Sequence, residues 1–207
     1  RPDHSTTVAR GAPQDDAMTA ILRAAVEHTT LAAATTAADV ARVCAEARTY
    51  GFGGVCIPGR FVATAIDHRA RQRADYRIVT VAGFPLGHDR PETKIAEARA
   101  AVADGADHVD LVLAHAAFAE AMRDADQRAL NAIEDEVRKT VLAMTRANPA
   151  AQLKVILETG ALEQPELIAE ASRLCRRAGA HWIKTSTGFG PRGASAADVE
   201  IMTAAVD

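Results

Sequence analysis

Two lysines and an aspartate stand in the middle of three apolar segments: Lys184 in "HWIKTS", Lys154 in "LKVILET" and Asp110 in "HVDLVLA". Side chains alternate across a strand, so parity tells which of them share a face. If Leu153, Val155 and Leu157 meet a layer of helices, then Lys154, Ile156 and Glu158 face the other way. The same rule sets Asp110 with His108 and Val112, opposite Val109, Leu111 and Leu113. It sets Lys184 with Trp182 and Ser186, opposite Ile183. Three independent readings thus place two ammoniums and a carboxylate in one interior. Ionised groups there cost several kcal/mol each unless paired, so the cluster needs a reason.

The choice of lysine narrows that reason. The chain has lysine only at 94, 139, 154 and 184, and arginine supplies the other basic residues. An arginine would pair with Asp110 at least as well, but it cannot lose its proton and form an imine. Two readings stay open on the residues alone. One is a structural ion-pair network that fixes the core, since such networks also perturb pKa values. The other is a Schiff-base lysine: a second ammonium nearby depresses the pKa of the first, freeing an amine at neutral pH to attack a carbonyl. Asp110 then moves protons at the carbinolamine and enamine steps.

Elements that could position these residues alternate along the chain. Met18, Ile21, Leu22 and Ala25 recur at helical spacing between Asp16 and Glu27, before the short "HTTL". A helix runs from Thr36, with Asp39 as its capping-box partner, to Gly51. "GGVCIPG" and "YRIVTVAGFP" read as strands, and Pro91 opens a helix carrying Ile95, Ala98 and Val102. After "HVDLVLA", Leu130, Ile133, Val137, Val141 and Met144 mark a long helix ended by Asn148-Pro149. "LKVILET", a helix around Ile168 to Cys175, "HWIKTS" and a last helix capped by Ser195 complete the series. Strands separated by helices predict an α/β fold with a parallel sheet. A doubly wound open sheet lacks support, because no GxGxxG or GxxxxGK[ST] loop follows a strand. The expectation is a TIM (βα)8 barrel of which about six units are visible, with the last two βα units absent from this sequence. Residues 1–15 read as a flexible N-terminal segment and 16–207 as a single barrel domain.

Composition excludes several classes. At 207 residues, 48% hydrophobic and net charge −3, the chain is ordinary for a globular protein and has no basic footprint for nucleic acid. No apolar run approaches the roughly 20 residues of a membrane helix, and the start has no signal-peptide core, so a cytoplasmic protein is expected. Cys44, Cys56 and Cys175 form no CxxC, and the seven histidines form no HExxH. Neither a disulfide framework nor a metal is indicated.

With these residues placed, the chain resembles the 2-deoxy-D-ribose-5-phosphate aldolase family of class I aldolases from about Val26 to Met202. The resemblance runs through "EHTTLAAATTAADVARVC", "GGVCIPGRFV", "VAGFPLG", "KIAEARAAVADGADHVDLV", "LKVILETGAL" and "IKTSTGFGPRGASAADVEIM". It implies an eight-stranded (βα) barrel that reversibly cleaves 2-deoxy-D-ribose 5-phosphate to acetaldehyde and D-glyceraldehyde 3-phosphate, without cofactor or metal. It implies Lys184 as the imine-forming residue, Asp110 as the proton relay and Lys154 as a neighbouring lumen lysine. Thr187 and Gly188 are expected at the C-terminal rim, where backbone N–H groups can face substrate oxygens or phosphate. The partners expected are a sugar phosphate and an aldehyde, with no nucleic acid and no membrane; a homo-oligomer is left open.

The chain departs from the family pattern at several positions. Glu27 stands where the family has Asp, Ala32-Ala33 where it has Lys-Pro, and Ala114 where Asn is common. The family's seventh strand, with a second active-site lysine and a Gly-Gly phosphate loop, does not appear before Asp207, and the polypeptide is expected to continue. Alternative readings are a catalytically silent sugar-phosphate-binding or structural barrel and a class I aldolase of different substrate. Cys56 faces inward by parity and could meet aldehydes at the rim, or serve as a buried structural thiol. Trp182 is expected to fill the lumen. His88, Asp89, Arg60 and Arg192 fall on rim-side loops, where surface charge is the default reading, and His108 and His115 flank the fourth strand without ligand geometry.

Overall fold

A computed structural model describes residues 17–207, and the segment 1–15 expected to be flexible lies outside them. Six strands, β1 (Glu27–Thr29), β2 (Gly54–Cys56), β3 (Arg77–Ala82), β4 (His108–Val112), β5 (Gln152–Ile156) and β6 (Trp182–Lys184), pair in sequence order. All five pairings are parallel, which makes the sheet a half-barrel. Between the strands run α2 (Ala37–Tyr50), α3 (Val62–Gln72), α4 (Pro91–Ala103), α5 (His115–Arg123), α6 (Gln127–Ala147), α7 (Thr159–Leu162) and α8 (Pro165–Arg177). α1 (Ala17–Ala25) precedes β1 and α9 (Ala196–Val206) follows β6.

Local chemistry explains the boundaries. Thr36 and Asp39 form the expected capping box of α2, with the Thr36 N–H donating to Asp39 at 2.9 Å and the Asp39 N–H to Thr36 Oγ1 at 3.3 Å. Pro91 and Pro165 open α4 and α8 where a missing N–H does no harm. Ser195 Oγ accepts from the Asp198 N–H at 3.1 Å to start α9. α5 was not anticipated; its HAAFAEAMR sequence is rich in alanine and buries only Phe118 and Ala121, too few residues to mark a period.

The core lies between sheet and helices. Val55, Ile78, Val109, Leu111, Leu153 and Val155 pack with Val40, Val102, Phe118, Val137 and Leu174. Each such side chain contributes about 1.5–3 kcal/mol of transfer free energy. Val109, Leu111, Leu153 and Val155 are among the residues assigned to the helix side from parity, so the opposite set on these strands faces the lumen. Trp182 is a correction. It is 53% exposed, and its indole N–H donates to Gln152 Oε1 at 2.7 Å instead of sitting in a packed lumen. Its strand, β6, has β5 on one side and no strand on the other among the described residues, which leaves the ring in the open.

One lysine is buried on the helix side. Lys94 is fully inaccessible; its Nζ donates to the carbonyls of Gly87 and Val112, both at 2.9 Å, and lies 2.6 Å from Glu136 Oε1. The first "GFPLG" glycine makes room for it, and the second lets the loop pack on the end of β4. A Cβ on Gly83, at φ 63°, would come within 2.4 Å of Lys94 Cδ, and one on Gly87, at φ 72°, within 2.2 Å of the Leu113 carbonyl oxygen. Lys94 thus ties the β3–α4 loop to the end of β4 and to α6. Lys94→Ala is expected to lower stability by about 3–5 kcal/mol, because the Glu136 carboxylate stays buried without its cation. A urea unfolding curve checks this; a loss under about 1 kcal/mol would mean the pair is dispensable.

Candidate active site

Strand register brings the three polar lumen residues together. Asp110 is paired across the ladder with Lys154, and Lys184 with Ile156, one same-face step further along β5. Asp110 is fully buried and each of its oxygens takes one ammonium: Lys154 Nζ donates to Oδ1 at 2.6 Å and Lys184 Nζ to Oδ2 at 2.8 Å. Glu27 reaches in from β1, with Oε2 3.2 Å from Lys154 Nζ and Oε1 3.7 Å from His108 Nδ1. The extra methylene at position 27 therefore does not remove the first-strand contact. Burial pushes the Glu27 carboxyl up, but His108 and Lys154 outweigh it and hold its pKa below the ordinary value.

The electrostatics differ from the sequence expectation in one respect. Lys184 was expected to have a depressed pKa because a second ammonium lies near. Burial does pull it down, but the charge and hydrogen bond of Asp110 more than offset this, and the net shift is upward. The physical reason is placement: the carboxylate sits between the two amines and screens one from the other. The free amine must therefore be released by moving its proton, and Asp110 Oδ2 is the acceptor already in contact. The Lys184 side chain is 35% exposed, the most open of the three and the one a substrate can reach.

Cys56 faces this lumen, as parity required, and is 1% exposed. Burial, and then the charge of Asp110, push its thiol up to about 12, so it meets the site as a neutral thiol rather than as a nucleophile. Thr187 and Gly188 lie in the loop beyond β6, and Gly188, at φ 87°, has open space around it. The Thr187 N–H and hydroxyl both donate to Glu158 Oε2, the former at 3.2 Å. Glu158, at the end of β5, was sorted inward by parity but given no role.

Other rim residues do not join the lysines. His88, Asp89 and His115 line a separate cavity of about 550 Å³ with Ile133 and Glu136 of α6, on the helix side. Arg60 borders a second hollow of about 580 Å³ with Leu31, Phe84 and Glu97. Arg192 is bound to Asp198 through both terminal nitrogens and donates to the Thr159 carbonyl, so it fastens the β6–α9 loop to α7. Arg192, and with it Thr159 and Ser195, outweigh burial and hold Asp198 down at about 2. The stabilisation is present above the ordinary carboxylate value of 3.8 and is lost as pH falls through about 2. Asp198→Asn should therefore be less stable than the parent at pH 6, with the gap in thermal midpoint closing between about pH 4 and pH 2. A gap independent of pH would remove the carboxylate from the account.

Among the described residues, no group of three or more His, Cys, Asp or Glu is placed to hold a metal ion, and no helix is long and apolar enough to cross a membrane.

A parallel α/β half-barrel whose lumen presents two amines around one buried carboxylate has the equipment of amine-dependent carbonyl chemistry. Comparison with known proteins gives the family: residues 21–207 match the DeoC/LacD family aldolase, and the chain belongs to it. A deoxyribose-phosphate aldolase of Thermus thermophilus is 47% identical over 182 residues, covering 87% of this chain and 76% of the relative. One of Aciduliprofundum boonei is 40% identical over 181 residues, covering 87% and 76%. Among solved structures, the tetrameric deoxyribose phosphate aldolase of Aeropyrum pernix superposes with a TM-score of 0.78 at 26% identity, over 91% of this chain and 74% of that one.

Proposed function

We propose that this chain is a class I aldolase that reversibly cleaves 2-deoxy-D-ribose 5-phosphate to acetaldehyde and D-glyceraldehyde 3-phosphate. The observation that carries the reading is the pair of lumen ammoniums on Asp110, with Lys184 the more open, in a chain of the aldolase family. Lys184 gives its proton to Asp110 and attacks the C1 aldehyde of the open-chain sugar. Asp110 returns the proton to the carbinolamine oxygen, water leaves, and a protonated imine remains. Asp110, free again to accept, takes the C3 hydroxyl proton as the C2–C3 bond breaks and glyceraldehyde 3-phosphate leaves, and it supplies the proton that later adds to C2. The electrons left at C2 are held as an enamine. Protonation at C2 and hydrolysis free acetaldehyde and restore the amine. Lys154, itself fixed by Asp110 and Glu27, holds the Asp110 carboxyl in the orientation that meets Lys184. Cys56 lines the space, and Thr187 and Gly188 meet the substrate from the rim.

We read the six strands as six of the eight in a (βα)8 barrel. The nearest-neighbour parallel order, and outer strands β1 and β6 that among the described residues each pair on one side only, support two further units between them. We further read residues 16–207 as one domain of a cytoplasmic enzyme acting on small molecules. Incubating the protein with 2-deoxy-D-ribose 5-phosphate should release acetaldehyde, measured by a coupled alcohol dehydrogenase, at the same rate before and after chelator treatment. No acetaldehyde from folded protein would refute the substrate. Release from another 2-deoxy aldose alone would assign a class I aldolase of different specificity.

A further inference from the structure

Glu158 carries a backbone conformation and a carboxylate that the proposed mechanism leaves unused. It is 3% exposed and left-handed, at φ 57° and ψ 61°, a region that disfavours side chains other than glycine and asparagine. Oε2 accepts both protons that Thr187 can offer, from its N–H at 3.2 Å and from its hydroxyl. Oε1 is buried without a hydrogen-bond partner among the described residues, against Gly190, where a Cβ would come within 2.7 Å of it. A strained residue with a half-satisfied buried carboxylate is costly; its carbonyl starts α7 by accepting from the Ala161 and Leu162 N–H groups, and its carboxylate serves to orient Thr187.

That orientation has a definite polarity. A threonine hydroxyl has one proton and two lone pairs. The proton goes to Glu158, and the Phe189 N–H donates to Oγ1 at 3.1 Å, which takes one lone pair. Because Oε2 receives an N–H as well, it is the acceptor in both contacts. One lone pair on Thr187 remains. Such an oxygen can accept from a hydroxyl but cannot donate to a phosphate, and the carboxylate behind it repels an anion.

We infer that Glu158 is a positioning residue that makes Thr187 a hydrogen-bond acceptor only, so that the loop after β6 selects acceptor aldehydes bearing a hydroxyl next to the carbonyl. The inference rests on the aldolase reading above. It divides the rim: Thr187 reads a hydroxyl, and the phosphate is held elsewhere, with the exposed Gly188 backbone still free in shape to approach it.

The test runs the enzyme in the addition direction, with acetaldehyde as donor and either D-glyceraldehyde 3-phosphate or 3-oxopropyl phosphate, which lacks only the adjacent hydroxyl, as acceptor. The readout is the ratio of the two kcat/KM values. Glu158→Ala and Thr187→Val should each lower this ratio about tenfold, the value of one hydrogen bond near 1.4 kcal/mol. Glu158→Gln, whose amide oxygen can still accept, should retain most of it. Glu158→Asp, one methylene shorter, should shift it in the same direction as alanine. Borohydride trapping of acetaldehyde on Lys184 serves as the control, because acetaldehyde has neither hydroxyl nor phosphate, and it should persist in all four. An equal loss with both acceptors, or an unchanged ratio in Glu158→Asp or Thr187→Val with trapping intact, would overturn the inference. Absence of trapping in the parent protein would instead refute the imine mechanism.

Discussion

Lys184→Arg should abolish cleavage of 2-deoxyribose 5-phosphate, lowering kcat by about 10⁴-fold or more, while the protein remains folded. Arginine keeps the positive charge beside Asp110 and can bond the same carboxylate, so a purely structural ion pair would tolerate the change. It cannot give up a proton and form a carbon–nitrogen double bond. The side chain at 184 is about one-third exposed, with Asp110 still held by Lys154, so the thermal midpoint should move little. Steady-state turnover and a melting curve on the same preparation decide the matter. Activity within tenfold of the parent in a folded Lys184→Arg protein would return the cluster to a structural role.

Asp110→Asn should separate imine formation from turnover. The amide keeps the volume of a fully buried group but can no longer take the Lys184 proton or return it to the carbinolamine oxygen. Loss of a positioned proton carrier costs about 10²–10⁴-fold in kcat. Capture of acetaldehyde should survive, and its pH dependence should move in a stated direction. In the parent, Asp110 is the main cause of the upward shift in Lys184, so free amine appears only as pH rises through that elevated pKa. Without the carboxylate, burial is left to act downward, and adduct formation should become half-maximal at lower pH. The same pairing predicts that the stabilising contribution of Lys184 is fully present below the ordinary lysine value of 10.5 and fades as pH rises through the folded pKa. An adduct profile that stays put in Asp110→Asn would mean the carboxylate does not govern the amine.

Much of this site is legible in the sequence, because parity in a strand is a geometric rule. Leu153 and Val155 against Lys154, and Val109 and Leu111 against Asp110, could be sorted from spacing alone, and the sheet sorts them the same way. Caps were legible for a similar reason: Thr36 and Ser195 act on N–H groups three residues away. What the sequence concealed depends on distances between elements. The depressed pKa expected for Lys184 followed from counting charges in the lumen; the upward shift follows from which charge stands between which.

Lys94 was hidden differently. Its helix was read as a face of Ile95, Ala98 and Val102, whereas the buried face is Lys94, Ala98, Ala101 and Val102. The 94, 98, 102 spacing was a usable signal, overlooked because a lysine in a buried stripe needs partners, here Glu136 and two carbonyls, that no local pattern reveals. Arg192 shows the reverse case. On a rim loop it could face either substrate or scaffold, and only contact with Asp198 and Thr159 shows that it holds the scaffold. Glu158 was placed on the correct side by parity, but its left-handed backbone and its hold on Thr187 arise from the meeting of two loops.

Everything proposed for this site depends on Lys184 being a nucleophilic amine. Mass spectrometry of the protein and its peptides, after borohydride reduction in the presence of acetaldehyde, tests it most directly. One ethyl adduct is expected, confined to the peptide containing Lys184, lost in Lys184→Ala and kept in Lys154→Ala. A folded, reduced protein with no adduct at Lys184, or with adducts spread evenly over Lys139 and the other lysines, would contradict it.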